Sequence, residues 1–286
     1  MTKLDRNDRL VRLGLLMIAL SAISVLAIIT IFIFEQGTPI MFKYGFRSFL
    51  LGRDWYPSEK SFGLLPMIVG SLMVTFGALI IGVPLGLASA IFLTEFSHRR
   101  LSRILKPVIE LLAGIPSVVY GFIGLMFLVP FIRERFGGPG LSVLAASIIL
   151  GIMILPTVIS ISIDAIRAVP DSYREGSIAL GATRWQTVRL VVLPAARSGI
   201  IAGIILGMGR AIGETMAVIM VAGNAADIPG SILAPVRTLT SNIALEMAYA
   251  SGEHREALFA TGVILFIIIM ILNTMANVTS ARQKKK

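Results

Sequence analysis

Residues 198–221 read SGIIAGIILGMGRAIGETMAVIMV, a run of twenty-four positions in which only Arg210 and Glu214 carry charge. A bilayer-spanning helix needs roughly 20 apolar residues, because the hydrocarbon core is about 30 Å thick. The run is long enough to cross, and two ionisable groups inside it are too costly to be incidental. Five further blocks have the same character, at 13–34, 64–93, 108–132 and 141–163 before it and at 257–278 after it. Each is read as a helix whose backbone hydrogen bonds close internally. The segments between the blocks are too short for a separate soluble domain. The expected fold is an all-α integral membrane protein of six transmembrane helices, one membrane domain spanning residues 1–286.

Composition agrees with this reading. Hydrophobic residues make up 56% of the chain and charged residues 15%, with a mean hydropathy of +0.86. A soluble domain of this size needs far more charged surface. The first block is too long for the apolar core of a signal peptide, and no small-residue cleavage site follows residue 34, where the chain continues Glu35-Gln36-Gly37. It is expected to be retained as a helix. Cysteine is absent, which excludes disulfides and thiolate metal sites. His98 and His254 fall in separate loops without metal-ligand spacing, and both are expected to be solvated surface residues. No metal or cofactor is expected. No Gly-Lys dipeptide occurs, so the chain carries no phosphate-cradling P-loop and cannot hydrolyse ATP in that manner. Nor does any hydrolytic or redox constellation stand out. The remaining classes are a transporter subunit, an ion channel, and a membrane anchor or receptor.

The net charge of +10 points to membrane topology rather than to nucleic acid. Counted on alternate sides of the six blocks, seventeen Lys and Arg fall with the N-terminal tail, the segments 94–107 and 164–197, and the C-terminal tail. Eight fall on the other side, and Arg210 lies inside a block. The excess predicts both termini in the cytoplasm, with some contact to anionic lipid. The Lys284-Lys285-Lys286 tail reads as a solvated anchor on that side.

The longest cytoplasmic connection, 164–197, is patterned as a pair of short helices. Pro170-Asp171-Ser172 supplies a helix start, and Gly181 supplies an end for a helix over 173–180. A second helix is expected over 183–193, stopped by Pro194, with Trp185, Val188 and Val192 on one side. Such a pair suits docking to another protein, or lying on lipid headgroups. Within it, Glu175-Gly176-Ser177, then Gly181, then Val191-Val192-Leu193-Pro194 resembles the "EAA" loop of ABC-importer permeases, E-A-A-x-x-x-G followed after nine residues by I-x-L-P. Gly176 and Ser177 stand where the pattern has alanines, and Val191 where it has isoleucine. The resemblance implies the type I permease fold and a coupling loop, here Glu175, Gly176, Ser177, Gly181, Leu193 and Pro194, that docks on a separate ATPase subunit.

Inside residues 198–221, the midpoint falls at Gly209-Arg210. At about 100° of rotation per residue, Gly199, Gly203, Gly207, Arg210 and Glu214 fall within about 80° of one another. A row of small residues lets helices approach closely, so this face is read as turned inward. Two readings stand: an i, i+4 ion pair that holds the bundle, or an arginine that meets a passing oxyanion through charge-assisted contacts, with Glu214 neutralising it between cycles.

Residues 209–218, GRAIGETMAV, closely resemble the fifth-helix motif of phosphate permeases of the PstC type. Residues 109–121, IELLAGIPSVVYG, resemble that family's third-helix motif, and Leu155-Pro156-Thr157 with Arg167-Ala168-Val169-Pro170 its approach to the coupling loop. Trp55-Tyr56-Pro57 with Phe62-Gly63-Leu64-Leu65-Pro66 resembles its outer loop. The resemblance runs from roughly residue 40 to residue 280. It implies a non-catalytic, channel-forming subunit of an ATP-driven phosphate importer in a prokaryotic plasma membrane. The implied partners are a second permease of the PstA type, two ATPase subunits and an extracellular phosphate-binding protein. Pro116 frees a carbonyl, and the Ser117 and Tyr120 hydroxyls beside it are read either as a polar lining of the path or as groups that satisfy an ordinary kink. Glu110 is expected to reach the membrane boundary or to pair with Lys106. A permease for molybdate or sulfate, and an ATP-independent anion channel, remain the rival functions.

Overall fold

In hydrocarbon every backbone N–H and C=O must find a partner within the protein, which is why the apolar runs become helices. The computed structural model describes residues 3–283. Helix α1 (Lys3–Tyr44) and the short α2 (Phe46–Leu51) lead to a two-stranded hairpin, β1 (Trp55–Tyr56) and β2 (Ser61–Phe62), with Trp55 opposite Phe62. Helix α3 (Leu65–Ile91) ends in a π-helical turn, Phe92–Phe96, and is followed by α4 (Arg99–Gly114). Next come α5 (Ser117–Ile123), a second π turn (Gly124–Leu128) and α6 (Val129–Phe136), which form one continuous rod, and then α7 (Val143–Arg167). After α8 (Asp171–Ala179), α9 (Arg184–Thr187) runs through a third π turn (Val188–Val192) into α10 (Leu193–Gly213). Helices α11 (Met216–Val221), α12 (Leu239–Glu246) and α13 (Glu253–Gln283) complete the chain. Lys284, Lys285 and Lys286 lie outside the described residues.

Among the described residues, six helical stretches are long and apolar enough to cross a membrane: Val11–Tyr44, Leu65–Phe96, Ser117–Phe136, Val143–Arg167, Arg184–Gly213 and Glu253–Ala276. Two of them depart from the sequence blocks in ways that bear on function. The block 108–132 is not one helix. Ile115 and Pro116 adopt extended backbone (ψ 128° and 140°), so α4 ends at Gly114 and the span begins at Ser117. The cause is steric, since a residue before proline is pushed out of the helical region. Residues 108–114 belong instead to α4, which carries Arg100, Arg103, Lys106 and Glu110 along one flank and is amphipathic rather than apolar throughout. The helix over residues 183–193 is not stopped by Pro194. That proline sits in the first turn of α10, and the preceding π turn accommodates its missing N–H, so one helix continues from Arg184 to Gly213.

Helix α7 is the centre of the bundle, with 61% of its most apolar window buried against 28% or less for the other spans. Glycines let its neighbours in. A Cβ at Gly82 of α3 would lie 2.6 Å from Ile154 Cγ1 and 2.7 Å from the Gly151 carbonyl of α7. Gly203 and Gly207 of α10 approach Ile161 and Val158 on its other side. The row of glycines in α10 therefore serves helix packing. We expect Gly82→Val to wedge α3 from α7 and destabilise the protein by about 1–3 kcal/mol, read as a lowered thermal midpoint of the detergent-purified protein; an unchanged midpoint would mean that α3 shifts freely. On the periphery, α1 packs on α13 through edge-on pairs Phe32–Phe259 and Phe34–Phe266. The rest of α1, from Val11 to Ile31, presents its apolar side chains outward, as lipid contact requires.

Candidate functional site

Two broken helices meet near the middle of the bundle. Helix α10 ends at Gly213, where Glu214 turns extended (ψ 135°), and α11 starts at Met216. The halves beyond the breaks pack tightly: a Cβ at Gly121 of α5 would lie 2.9 Å from the Ala217 Cα of α11. The break after Gly114 and the break after Gly213 are thus brought to one region. Irregular backbone at membrane depth is tolerated where it is buried in protein or lines a cavity.

Arg210 stands in the last turn of α10, half-buried. Its positive charge suits the carbonyl end of that helix. Among the described residues it has no ion-pair partner and no hydrogen bond. The Cβ positions of Gly209 and Gly213 beside it meet no atom within 4 Å, so the helix surface there is open. Of the two readings of these charges, the i, i+4 ion pair with Glu214 does not form. Glu214 lies past the end of the helix, where it no longer follows the 100° rotation. Its carboxylate Oε1 accepts from the Ala217 N–H at 3.2 Å, capping α11, and its carbonyl accepts from Thr240 Oγ1 at 2.8 Å.

Tyr120 is buried and lies within electrostatic reach of Arg210. Its hydroxyl donates to the Leu112 carbonyl at 2.8 Å, so it satisfies the frayed end of α4 across the proline break. Ser117 is the first residue of α5 and is half-buried.

At the far end of α7 the chain turns into the loop of short helices. Helix α8 starts at Asp171 and ends before Gly181, whose φ of +84° is a left-handed turn that favours glycine. Thr183 and Gln186 then form a reciprocal capping box that starts α9. Ser177 Oγ and Thr187 Oγ1 are 3.0 Å apart and tie the two helices together. Glu175 and Gly176 are exposed; Leu193 and Pro194 lie where α9 has already merged into α10. Tyr173, Ile178, Leu180, Trp185 and Leu190 all project outward, Leu180 at 91% exposure. An apolar surface of this kind on a polar loop suits contact with another protein or with lipid headgroups.

The family described as "Binding-protein-dependent transport system inner membrane component" matches residues 82–285. The chain belongs to that family. A relative named "Probable ABC transporter permease protein YqgH", from Bacillus subtilis, is 45% identical over 274 residues, covering 93% of this chain and 88% of the relative. The "Phosphate transport system permease protein PstC" of Pasteurella multocida is 39% identical over 263 residues, covering 85% and 82%. That of Mesorhizobium japonicum is 39% identical over 269 residues, covering 87% and 82%. Among solved structures, a bacterial ABC transporter that imports the acidic polysaccharide alginate superposes with a TM-score of 0.63 at 14% identity, covering 97% and 99% of the two chains. The inward-facing MetNI methionine ABC transporter gives 0.61 at 20% identity, covering 77% and 95%. The fold is that of ABC-importer permeases, and the chain is a multi-pass protein of the cell membrane.

Two charged clusters of this permease lie outside the motifs quoted above. Arg174, inside α8, points back into the bundle and reaches Glu95 at the end of α3, with Nη2 at 2.8 Å and Nε at 3.2 Å from the same carboxylate oxygen. The same guanidinium donates to the Val169 carbonyl at 2.8 Å and the Ile166 carbonyl at 3.0 Å, and Asp171 lies 3.3 Å away. At the opposite end of the bundle, Glu246 of α12 accepts from Trp55 Nε1 at 2.8 Å and Arg237 Nη1 at 2.7 Å, and shares a hydrogen bond with His254 Nε2 at 2.8 Å. His254 is therefore not a solvated surface residue. It is packed in the first turn of α13 between Trp55 and Tyr249. His98, at the N-cap of α4, is exposed. The sequence signal for both constructions was a lone carboxylate in an apolar setting, Glu95 in Phe92–Phe96 and Glu246 after Ile243-Ala244-Leu245, since such a group must find a partner.

Proposed function

We propose that this chain is the channel-forming permease subunit of an ATP-driven importer of inorganic phosphate, with both termini and the α8–α9 loop in the cytoplasm. It pairs with a second permease of the PstA type, two ATPase subunits and an extracellular phosphate-binding protein, and residues 1–286 act as one membrane domain. The observation that carries this reading is Arg210, a guanidinium held at a helix break beside open helix surface with no ion-pair partner or hydrogen bond among the described residues. A charge placed within the membrane at a cost of roughly 2.5–3.5 kcal/mol calls for a compensating anion. The planar guanidinium matches the oxygens of a tetrahedral oxyanion. Relatives named as phosphate permeases, 39% identical over most of their length, support phosphate as that anion. The outward apolar residues of α8 and α9 support ATPase docking, which an ATP-independent channel does not require. ATP binding and hydrolysis elsewhere then bias this chain between two packings, one open to each side.

Phosphate is told from sulfate and molybdate by its protons. At neutral pH it still carries hydrogen, whereas the other two are fully deprotonated. A carboxylate beside the path can accept a hydrogen bond from phosphate but repels the rivals. Glu214→Gln keeps an amide oxygen to accept from Ala217 N–H, so α11 stays capped while the charge is removed. The reconstituted complex, with the binding protein bypassed or matched to each anion, is assayed for anion-stimulated ATPase activity. Sulfate or molybdate stimulation is expected to rise about tenfold relative to phosphate, the ratio that about 1.4 kcal/mol of relieved repulsion gives. Unchanged preference with phosphate transport intact would reduce Glu214 to a helix cap. Stimulation of the parent complex by sulfate or molybdate but not by phosphate would replace phosphate as the substrate.

A further inference from the structure

A polar recess lies at the α8 end of the bundle. The π turn that ends α3, the polar flank of α4 and the last turn of α7 enclose a cavity of about 500 Å³ lined by Ser97, Ser102, Arg103, Lys106, Glu110 and Arg167 among others. It is remote from Arg210: Ala165, two residues from Arg167, packs on Gly199, eleven residues and about 16 Å along α10 from the arginine.

The lining holds three cations against one carboxylate. Its internal pairing is slight: Lys106 lies 4.0 Å from Glu110, and Arg167 Nη2 is 3.5 Å from Ser102 Oγ. Arg103 has no ion-pair partner among the described residues. Helix α4 explains the concentration. Ser102, Lys106 and Glu110 follow one another at four-residue spacing with Arg103 beside them, while Leu101, Ile104, Val108 and Leu111 form an exposed apolar flank on the other side. A helix so divided lies along the membrane boundary and sets its cations at headgroup depth. Among the described residues no aromatic side chain lines the recess, so none of them would stack a base or a sugar there.

We propose that this recess binds a phosphate group, either of an anionic phospholipid headgroup or of inorganic phosphate, through Arg103, Lys106 and Arg167, with the Ser97 and Ser102 hydroxyls as additional donors. Guanidinium forks and an ammonium directed at one space suit a tetrahedral oxyanion. The volume also leaves room for a glycerol linkage or a hydration shell. The occupant bridges α4 to α7 beside Ile166 and Val169, whose carbonyls hold Arg174, so it braces the junction from which α8 departs. The inference does not depend on which anion is transported.

The test uses the purified complete complex in lipid nanodiscs. In one arm, with phosphatidylcholine alone, binding of labelled inorganic phosphate is titrated. In the other, with phosphatidylglycerol as about a quarter of the lipid, retained phosphatidylglycerol is counted by native mass spectrometry. Arg103→Gln and Arg167→Gln are each expected to weaken binding of one probe about tenfold, and Glu110→Gln to tighten it, because it removes the one repelling charge. Arg103 is exposed and without an ion-pair partner, so its replacement leaves the packing in place. A response confined to phosphatidylglycerol identifies the occupant as a lipid headgroup, and one confined to inorganic phosphate identifies it as a free anion. If none of the three substitutions moves either probe, or if Glu110→Gln weakens binding as the arginine changes do, the proposal is wrong.

Discussion

Arg210→Ala should abolish phosphate uptake, by at least about a hundredfold, in a complex that still assembles. The guanidinium makes no ion pair or hydrogen bond among the described residues, so truncation removes no contact that holds α10 in place. Removing a charge from within the membrane relieves a cost rather than creating one, and the thermal midpoint should hold or rise. What disappears is the one cation in the run 198–221, and with it the charge offered to a passing anion. Arg210→Lys should recover little, because an ammonium is a point charge without the planar fork and is more strongly hydrated. Uptake of labelled phosphate into proteoliposomes, at matched protein abundance and with ATPase subunits present, decides the matter. Near-normal uptake by the alanine variant would return Arg210 to a structural role at the end of α10.

The contrast between Arg210 and Glu214 shows how far local pattern reaches. The apolar blocks are visible because lipid demands long runs, and the small residues at 199, 203 and 207 are visible because their spacing repeats. Carrying the same rotation on to residue 214 fails, since no proline marks the end of α10. The break is held from a distance, by Thr240 on the Glu214 carbonyl and by the capping of α11. The break at Pro116, by comparison, is written in the chain, and only its consequence was misjudged, because residues 108–114 are apolar enough to extend a span when read without the basic residues before them. The α8–α9 loop was the most legible part. Gly181 adopts the left-handed turn that the pattern required, and the start of α9 at Thr183 is announced by Gln186 three residues later. The burial of His254 is hidden from local pattern for a different reason: its neighbours Glu246 and Trp55 come from two other segments, which only the fold brings to it.

Arg174→Ala should leave the ATPases bound and the transporter uncoupled. Helix α8 presents two sides. Tyr173, Ile178 and Leu180 face outward, where a docking partner would sit, whereas Arg174 faces the bundle and is only 20% exposed. Its partner Glu95 is 9% exposed at the end of α3, and the two carbonyls it also holds terminate α7. One guanidinium therefore joins the loop to the ends of two spans, one of them through a carboxylate 79 residues away in the chain. Removing one member of a buried pair typically costs about 3–5 kcal/mol, because the other charge is left without compensation. Here that cost falls on the junction through which a push on α8 must pass to reach α3 and α7. The expected result is ATP hydrolysis that persists without stimulation by the loaded binding protein, with phosphate uptake per ATP reduced at least about tenfold. The double variant Arg174→Ala/Glu95→Ala should recover part of the lost thermal stability, since no buried charge is then stranded, but not the coupling. Glu95→Gln, which retains an acceptor for the guanidinium, should fall between the parent and Arg174→Ala. Normal substrate-stimulated hydrolysis and uptake in Arg174→Ala, at normal abundance, would mean that the outward face of α8 transmits force without this link. Loss of the ATPase subunits from that variant would instead show that Arg174 sets the shape of the docking surface itself.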